Sequence, residues 1–353
     1  MVLWAGFIAL CCSSLSAQER WVYRYNGPGN DWDWANSIVM GSDSNLYAAG
    51  YSWGNGTSND FTVISLTSGG GERWVYRYDS PPSGEDGALS ILMGSDSNLY
   101  AAGYSEGSGT LVDFTVISLS PSGAERWVYR YNGPGSGDDV GYSIVMGSDS
   151  NVYAAGLSPG SGTSDDFTVI SLTPGGGERW VYRYNGPGNG DDWAASIVMG
   201  SDSNLYAAGL STGSGTSYDF TVISLTSGGA ERWVYCYNGP GNYDDWALSI
   251  VMGSDSNLYA GGLSTGSGTS WDFTVTSLTP SGAERWVYRH DGPGNGDDAA
   301  SSIVMGCDNK LYAAGRSYGS GTSWDFTVIS LSPDVGVEER AAWPQRSLSL
   351  IHI

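Results

Sequence analysis

Apolar and polar positions alternate in four short runs between residues 194 and 237, and each run ends at a cluster of turn residues. Ala194 to Gly200 (A-A-S-I-V-M-G) is small and apolar, as suits a strand crowded by its neighbours, and Ser201 to Asn204 makes a polar turn. Leu205 to Leu210 (L-Y-A-A-G-L) reads as a second strand, and S-T-G-S-G-T-S leads into a third, Phe220 to Leu225 (F-T-V-I-S-L), rich in β-formers. After the turn at Thr226 to Gly229, Glu231 to Tyr237 is a fourth strand, with Trp233 and Tyr235 on one face and Arg232 and Val234 on the other. Asn238-Gly239-Pro240-Gly241 breaks it. No helical period of useful length occurs.

The same unit recurs six times with a 53-residue period, placing Trp21, Trp74, Trp127, Trp180, Trp233 and Trp286 at one position of each copy. One such unit cannot bury its own apolar faces and must stack on its copies. The predicted fold is all-β: a beta-propeller of six four-stranded blades over residues 18–333.

The run D-x-A-x-S-I-V-x-G-x-D-S-N-x-Y-A-A-G, followed by D-F-T-V-I-S-L, T-P-x-G and E-R-W, resembles the bacterial beta-propeller repeat called SBBP, found in secreted and cell-surface proteins, over about residues 19–333. The resemblance implies that the Ala/Ser/Ile strand is innermost. Glu19 to Tyr25 is then an outermost strand and Phe326 to Leu331 the third strand of a blade, so the two ends are expected to share one blade and close a ring of six. Residues 334–353 abandon the repeat and read as an artificial tail, which leaves open a fragment of a larger propeller or array. Residues 1–17 read as a signal peptide: Val2 to Leu10 is apolar and Ser16-Ala17 is a small-residue cleavage site. Secretion or a cell-surface location is expected.

Charge narrows the partners. With 37 acidic and 15 basic residues, the formal net charge is -22, a field that repels nucleic acid and anionic membranes. Membrane insertion is not expected, since the apolar leader is too short to span a bilayer. A neutral or cationic polysaccharide, or a protein partner, fits the field, and the propeller is expected to be monomeric. Cys236 and Cys307 each replace the residue of the sister repeats, and nothing in the pattern brings them together as a disulfide. The only histidines, His290 and His352, supply little material for a catalytic triad or a zinc site.

Two sets of loop residues are candidates for function. Asp33, Asp86, Asp139, Asp192, Asp245 and Asp298 precede the inner strands, where a ring of carboxylates could hold a hard cation such as Ca2+. The other reading is that each Asp accepts backbone N–H bonds and ties one loop to the next. Trp34, Trp53, Trp193, Trp246, Tyr218, Trp271 and Trp324 vary between copies on the loops of the same face, beside acidic and hydroxyl groups, as a sugar-stacking surface requires. Packing between blades is the alternative for these rings. A non-enzymatic binding or adhesion scaffold is the leading expectation, because six equivalent repeats show no single broken-symmetry site. A structural module of a larger surface protein and a carboxylate-dependent polysaccharide hydrolase or lyase are the alternatives.

Overall fold

The computed structural model describes residues 19–109 and 111–333. The expected signal segment 1–17 and the tail 334–353 lie outside the described residues. Every regular element among the described residues is a β-strand, and no helix is long and apolar enough to cross a membrane.

The strands form six consecutive antiparallel sheets, each a simple meander. The first five, spanning residues 33–78, 86–131, 140–184, 193–237 and 245–290, have four strands; the sixth, 299–331, has three. In the fourth sheet the strands are Trp193–Met199, Asn204–Thr212, Tyr218–Thr226 and Glu231–Tyr237. The central hairpin thus runs beyond Leu210 and begins before Phe220, because Ser211 pairs with Asp219 and Thr212 with Tyr218. Alternation of side chains does not reveal this, since backbone pairing can continue through Ser and Thr.

Each inner strand carries a bulge, between Ala194 and Ser196 in the fourth sheet. It presses the Trp193 carbonyl oxygen toward Gly209, where a Cβ would lie 1.9 Å from it. Glycine at this repeat position is therefore a requirement of close backbone approach, and the bulge aims the first side chain of the inner strand.

Stability comes from face-to-face packing of neighbouring sheets. Five apolar clusters each span one pair, from the first and second sheets to the fifth and sixth. In the first of them Tyr47, Phe61 and Val63 of one sheet meet Ala88, Ile91 and Leu99 of the next. Side-chain bonds repeat with the packing: the Trp74 indole donates to the Pro121 carbonyl at 3.1 Å, and Tyr76 to Glu125 at 2.6 Å. Arg179 lies 5.8 Å from the Tyr153 ring centroid and joins the turn residue Asp149, which also accepts from the Tyr153 hydroxyl.

The ends depart from the expected closure. Glu19 to Tyr25 forms no strand, and the sheet of residues 299–331 has no fourth strand among the described residues. Phe326 is 86% exposed, whereas its counterpart Phe61 is fully buried; at the other end Ile38 is 64% exposed. No apolar cluster joins the sixth sheet to the first among the described residues. Among the described residues the six sheets thus form a succession whose first and last sheets each carry exposed apolar side chains.

One substitution tests an internal ion pair. Buried Asp113, Asp166 and Asp272 pair with Arg130, Arg183 and Arg289 at 2.8, 2.7 and 2.5 Å, and Asp60 pairs with Arg77. In the fourth sheet Cys236 stands in place of the arginine; both it and Cys307 are free thiols. Burial pushes the Asp219 carboxyl up, and its Oδ1 is buried without a hydrogen-bond partner. Cys236→Arg is expected to return Asp219 toward the usual range and to stabilise the fold by roughly 1–3 kcal/mol, the penalty of an unsatisfied buried group. Denaturant unfolding at neutral pH measures it, and an unchanged midpoint would count against the pairing.

Candidate functional site

The face carrying the loops between second and third strands divides the two candidate sets. Five of the six aspartates, Asp86, Asp139, Asp192, Asp245 and Asp298, are fully buried, and Asp33 is half-buried. One oxygen of each accepts a backbone N–H, while Asp33 Oδ1 and Asp139 Oδ1 are buried without a partner. Asp192 accepts N–H bonds from Gly186 at 2.7 Å and Thr212 at 2.8 Å; Asp298 does so from Gly292 and Tyr318 at 2.8 and 2.7 Å. Each joins the loop that enters an inner strand to the end of the second strand. A solvent-facing carboxylate ring is not what these residues form.

Burial, more than the neighbouring charges, pushes the Asp192 carboxyl up to about 7 and those of Asp86 and Asp245 up to about 6. Two groups, Asp60 with Asp79 and Asp86, and Asp272 with Asp291 and Asp298, bring a carboxylate oxygen of each residue within 4.8 Å of the others. In both, one member holds an arginine and another accepts backbone or hydroxyl hydrogens, as Asp86 does from Ser80. Too few free oxygens remain for the six to eight that Ca2+ takes, so this donor set does not fit that ion.

The aromatic set behaves differently. Trp193 and Trp246 meet edge to face, with ring centroids 6.2 Å apart; Tyr218 and Trp271 lie 6.3 and 5.6 Å from Trp246. Tyr142 extends the row, 5.7 Å from Trp193. Four of the seven expected rings thus gather across the fourth and fifth sheets. The others stand apart: Trp34 and Trp324 lie exposed at opposite ends of the sheet succession, Arg316 stacking 4.6 Å from Trp324, and Trp53 packs near Gly29 in the first sheet.

Leu157, Asp165, Asp191, Trp193, Leu210, Tyr218 and Trp246 line a cavity of about 250 Å³. A wider polar cleft, lined by Thr216, Ser217, Asn242 and Tyr243, uses the same 213–218 connection. The cavity has a sequence origin. The residue paired with the repeat position of Trp34, Gly87, Val140 and Trp193 is Tyr51 and Tyr104 in the first two sheets, but Leu157 and Leu210 in the third and fourth. A shorter side chain leaves the space that a tyrosine ring would take. Sequence reasoning missed Leu157, Leu210, Asp191 and Tyr142; the Tyr-to-Leu exchange at one repeat position is the signal that could have found them.

Polar groups converge on the rings. Tyr218 donates to Asp191 Oδ2 at 3.2 Å, and Ser164 also donates to Asp191. Burial, and then the negative charge of Asp191, pushes the Asp165 carboxyl up to about 6. The indole N–H groups of Trp193 and Trp246 are buried without an acceptor. Rings, unsatisfied donors and carboxyls in one depression can stack an apolar ring face and exchange hydrogen bonds with hydroxyls.

No protein-family model matches the chain, and no curated protein matches it. Among solved structures it is similar to a protein of unknown function from Dyadobacter fermentans, at 12% identity over 84% of this chain and 93% of that one, TM-score 0.46. The alpha-L-arabinofuranosidase of Fusarium graminearum, in complex with arabinobiose, is similar at 10% identity over 84% and 92%, TM-score 0.47. A protein of unknown function from Bacteroides caccae is similar at 12% identity over 72% and 81%, TM-score 0.41.

Proposed function

We propose that this chain is a secreted or cell-surface binding protein whose propeller-type repeats present a polysaccharide site at Trp193, Tyr218, Trp246 and Trp271. The observation that carries the reading is the row of rings around a cavity into which Asp165 and Asp191 also project, with two indole donors left without acceptors. The cavity is small, so it takes one sugar of a chain, while the adjoining polar cleft accepts its neighbours. The acidic field selects neutral or cationic glycans over anionic ones. Likeness of the repeat motifs to the SBBP repeat supports the extracellular setting.

Binding to an array of neutral glycans and cationic chitosan tests this. The Trp193→Ala, Trp246→Ala double variant is expected to weaken binding roughly ten- to hundredfold, since each stacked ring is worth about 0.5–1.5 kcal/mol. Asp202→Ala and Asp255→Ala, in turns of the opposite face, are expected to change it little. Binding lost in the turn variants and kept in the double variant would move the site to the other face. A hydrolase reading rests on one observation, the raised Asp165 carboxyl beside the Asp191 charge, the paired environment of an acid and a carboxylate. Release of reducing ends from a bound glycan, abolished by Asp165→Asn, would establish it.

A further inference from the structure

We propose that the chain assembles head to tail, the sixth sheet of one copy docking on the first sheet of a second copy. The two uncovered end faces are the two halves of an interface that the molecule already forms five times. In each internal interface one sheet contributes the counterparts of Tyr47, Phe61 and Val63, and the next contributes those of Ala88, Ile91, Leu99 and Met93. At the end of the succession Phe326 and Val328 stand 86% and 57% exposed in the first role; at its start Ile38 and Met40 stand 64% and 63% exposed in the second.

Hydrogen-bonding groups are left in matching pairs. Internally, the Ile91 N–H donates to Ser37 Oγ at 3.2 Å, and the Ser42 N–H to Met93 Sδ at 3.2 Å. By the same 53-residue register, the Ile38 N–H of one copy faces Ser302 Oγ of the other, and Met40 Sδ faces the Cys307 N–H. Ser302 and Cys307 are both exposed.

The N-terminal segment decides the mode. Although Glu19 to Tyr25 pairs with no strand, it lies on the first sheet where the outer strand of a preceding sheet would lie. The Trp21 indole donates to the Ser68 carbonyl at 3.2 Å, as Trp74 does to Pro121 at 3.1 Å, and Tyr23 donates to Glu72 as Tyr76 does to Glu125. Phe61 pairs with Tyr78 and Ser65 with Trp74, so in the docked pair Phe326 lies opposite Tyr25 and Ser330 opposite Trp21 of the second copy. The segment becomes the missing fourth strand, covering an open sheet edge. Self-closure would have to change the packing of at least one internal interface, whereas a second copy uses all five unchanged. The interface is heterologous, so it builds a closed ring of copies or a growing filament.

Sedimentation of the full chain over a concentration series tests this. Mass is expected to rise to multiples of the single chain, more readily at high salt, which screens repulsion between two chains of formal charge -22. Phe326→Asp and Ile38→Asp each remove one face at an already exposed position, so both are expected to keep the parent's circular dichroism and melting while remaining monomeric. Mixed in equal amounts, they are expected to give a discrete dimer, because each retains the face the other lacks. A wild-type chain that stays monomeric at every concentration overturns the proposal, as does a mixture that forms no dimer or a pair of variants that both still self-associate.

Discussion

Phe167→Ala is expected to lower stability by roughly 3–5 kcal/mol, while Phe326→Ala, the same substitution at the same repeat position, is expected to change it by less than about 0.5 kcal/mol. Phe167 is fully buried in the cluster between the third and fourth sheets, with Tyr153, Val169 and Ala194. Its truncation removes transfer free energy and leaves a cavity that rigid sheets close only in part. Phe326 has little buried area to lose. Urea unfolding at a concentration where the chain is monomeric measures both variants. Equal losses would show that the end face is covered within a single chain, and the open arrangement would have to be abandoned.

Stability is expected to be greatest near pH 4 and to fall as pH rises toward 7, in contrast to a protein whose carboxylates are mostly ion-paired. Burial raises Asp86, Asp165 and Asp245 to about 6 and Asp192 to about 7, and raises Asp139 as well, against an unfolded value of 3.8. Between those values the folded state binds more protons than the unfolded one. The contribution is therefore complete below about 3.8 and is lost as pH passes through 6 to 7. A carboxyl displaced by two units accounts for about 3 kcal/mol.

The turn residues Asp96, Asp149, Asp202 and Asp255 act in the opposite sense. Burial raises them, but hydrogen bonds from Tyr and Asn and the nearby arginines outweigh it and hold them low. Their stabilisation is present above 3.8 and disappears as pH falls through their lowered values, which sets the acid side of the maximum. Melting temperatures from pH 3 to 8 at high salt, where general repulsion is screened, provide the test. A profile flat or rising between pH 5 and 8 would show that the buried aspartates are not held as the structure places them.

Local pattern alone was enough for the strands, their order within a sheet and the chemistry of the turns. Val, Ile and Thr at alternate positions, with S-D-S-N and G-S-G-T between them, leave few other foldings for a 53-residue unit repeated six times. The buried aspartates were half legible: loop ties and a cation ring use the same residue type, and only the position of the backbone amides decided between them.

Long-range geometry held the rest. The angle between neighbouring sheets comes from how bulges, ring sizes and small residues pack across the interface, and five such angles decide whether Glu19 to Tyr25 meets Phe326 to Leu331. No local pattern encodes that sum. The cavity at Trp193 depended likewise on volume: leucine replaces tyrosine opposite the inner strand, while the same sheet supplies Tyr218 and the next one Trp246. Sequence named most of the rings because variation in otherwise identical copies is visible one residue at a time. Which four of them share a space was decided by the tertiary structure, since that depends on the side chains that are missing between them.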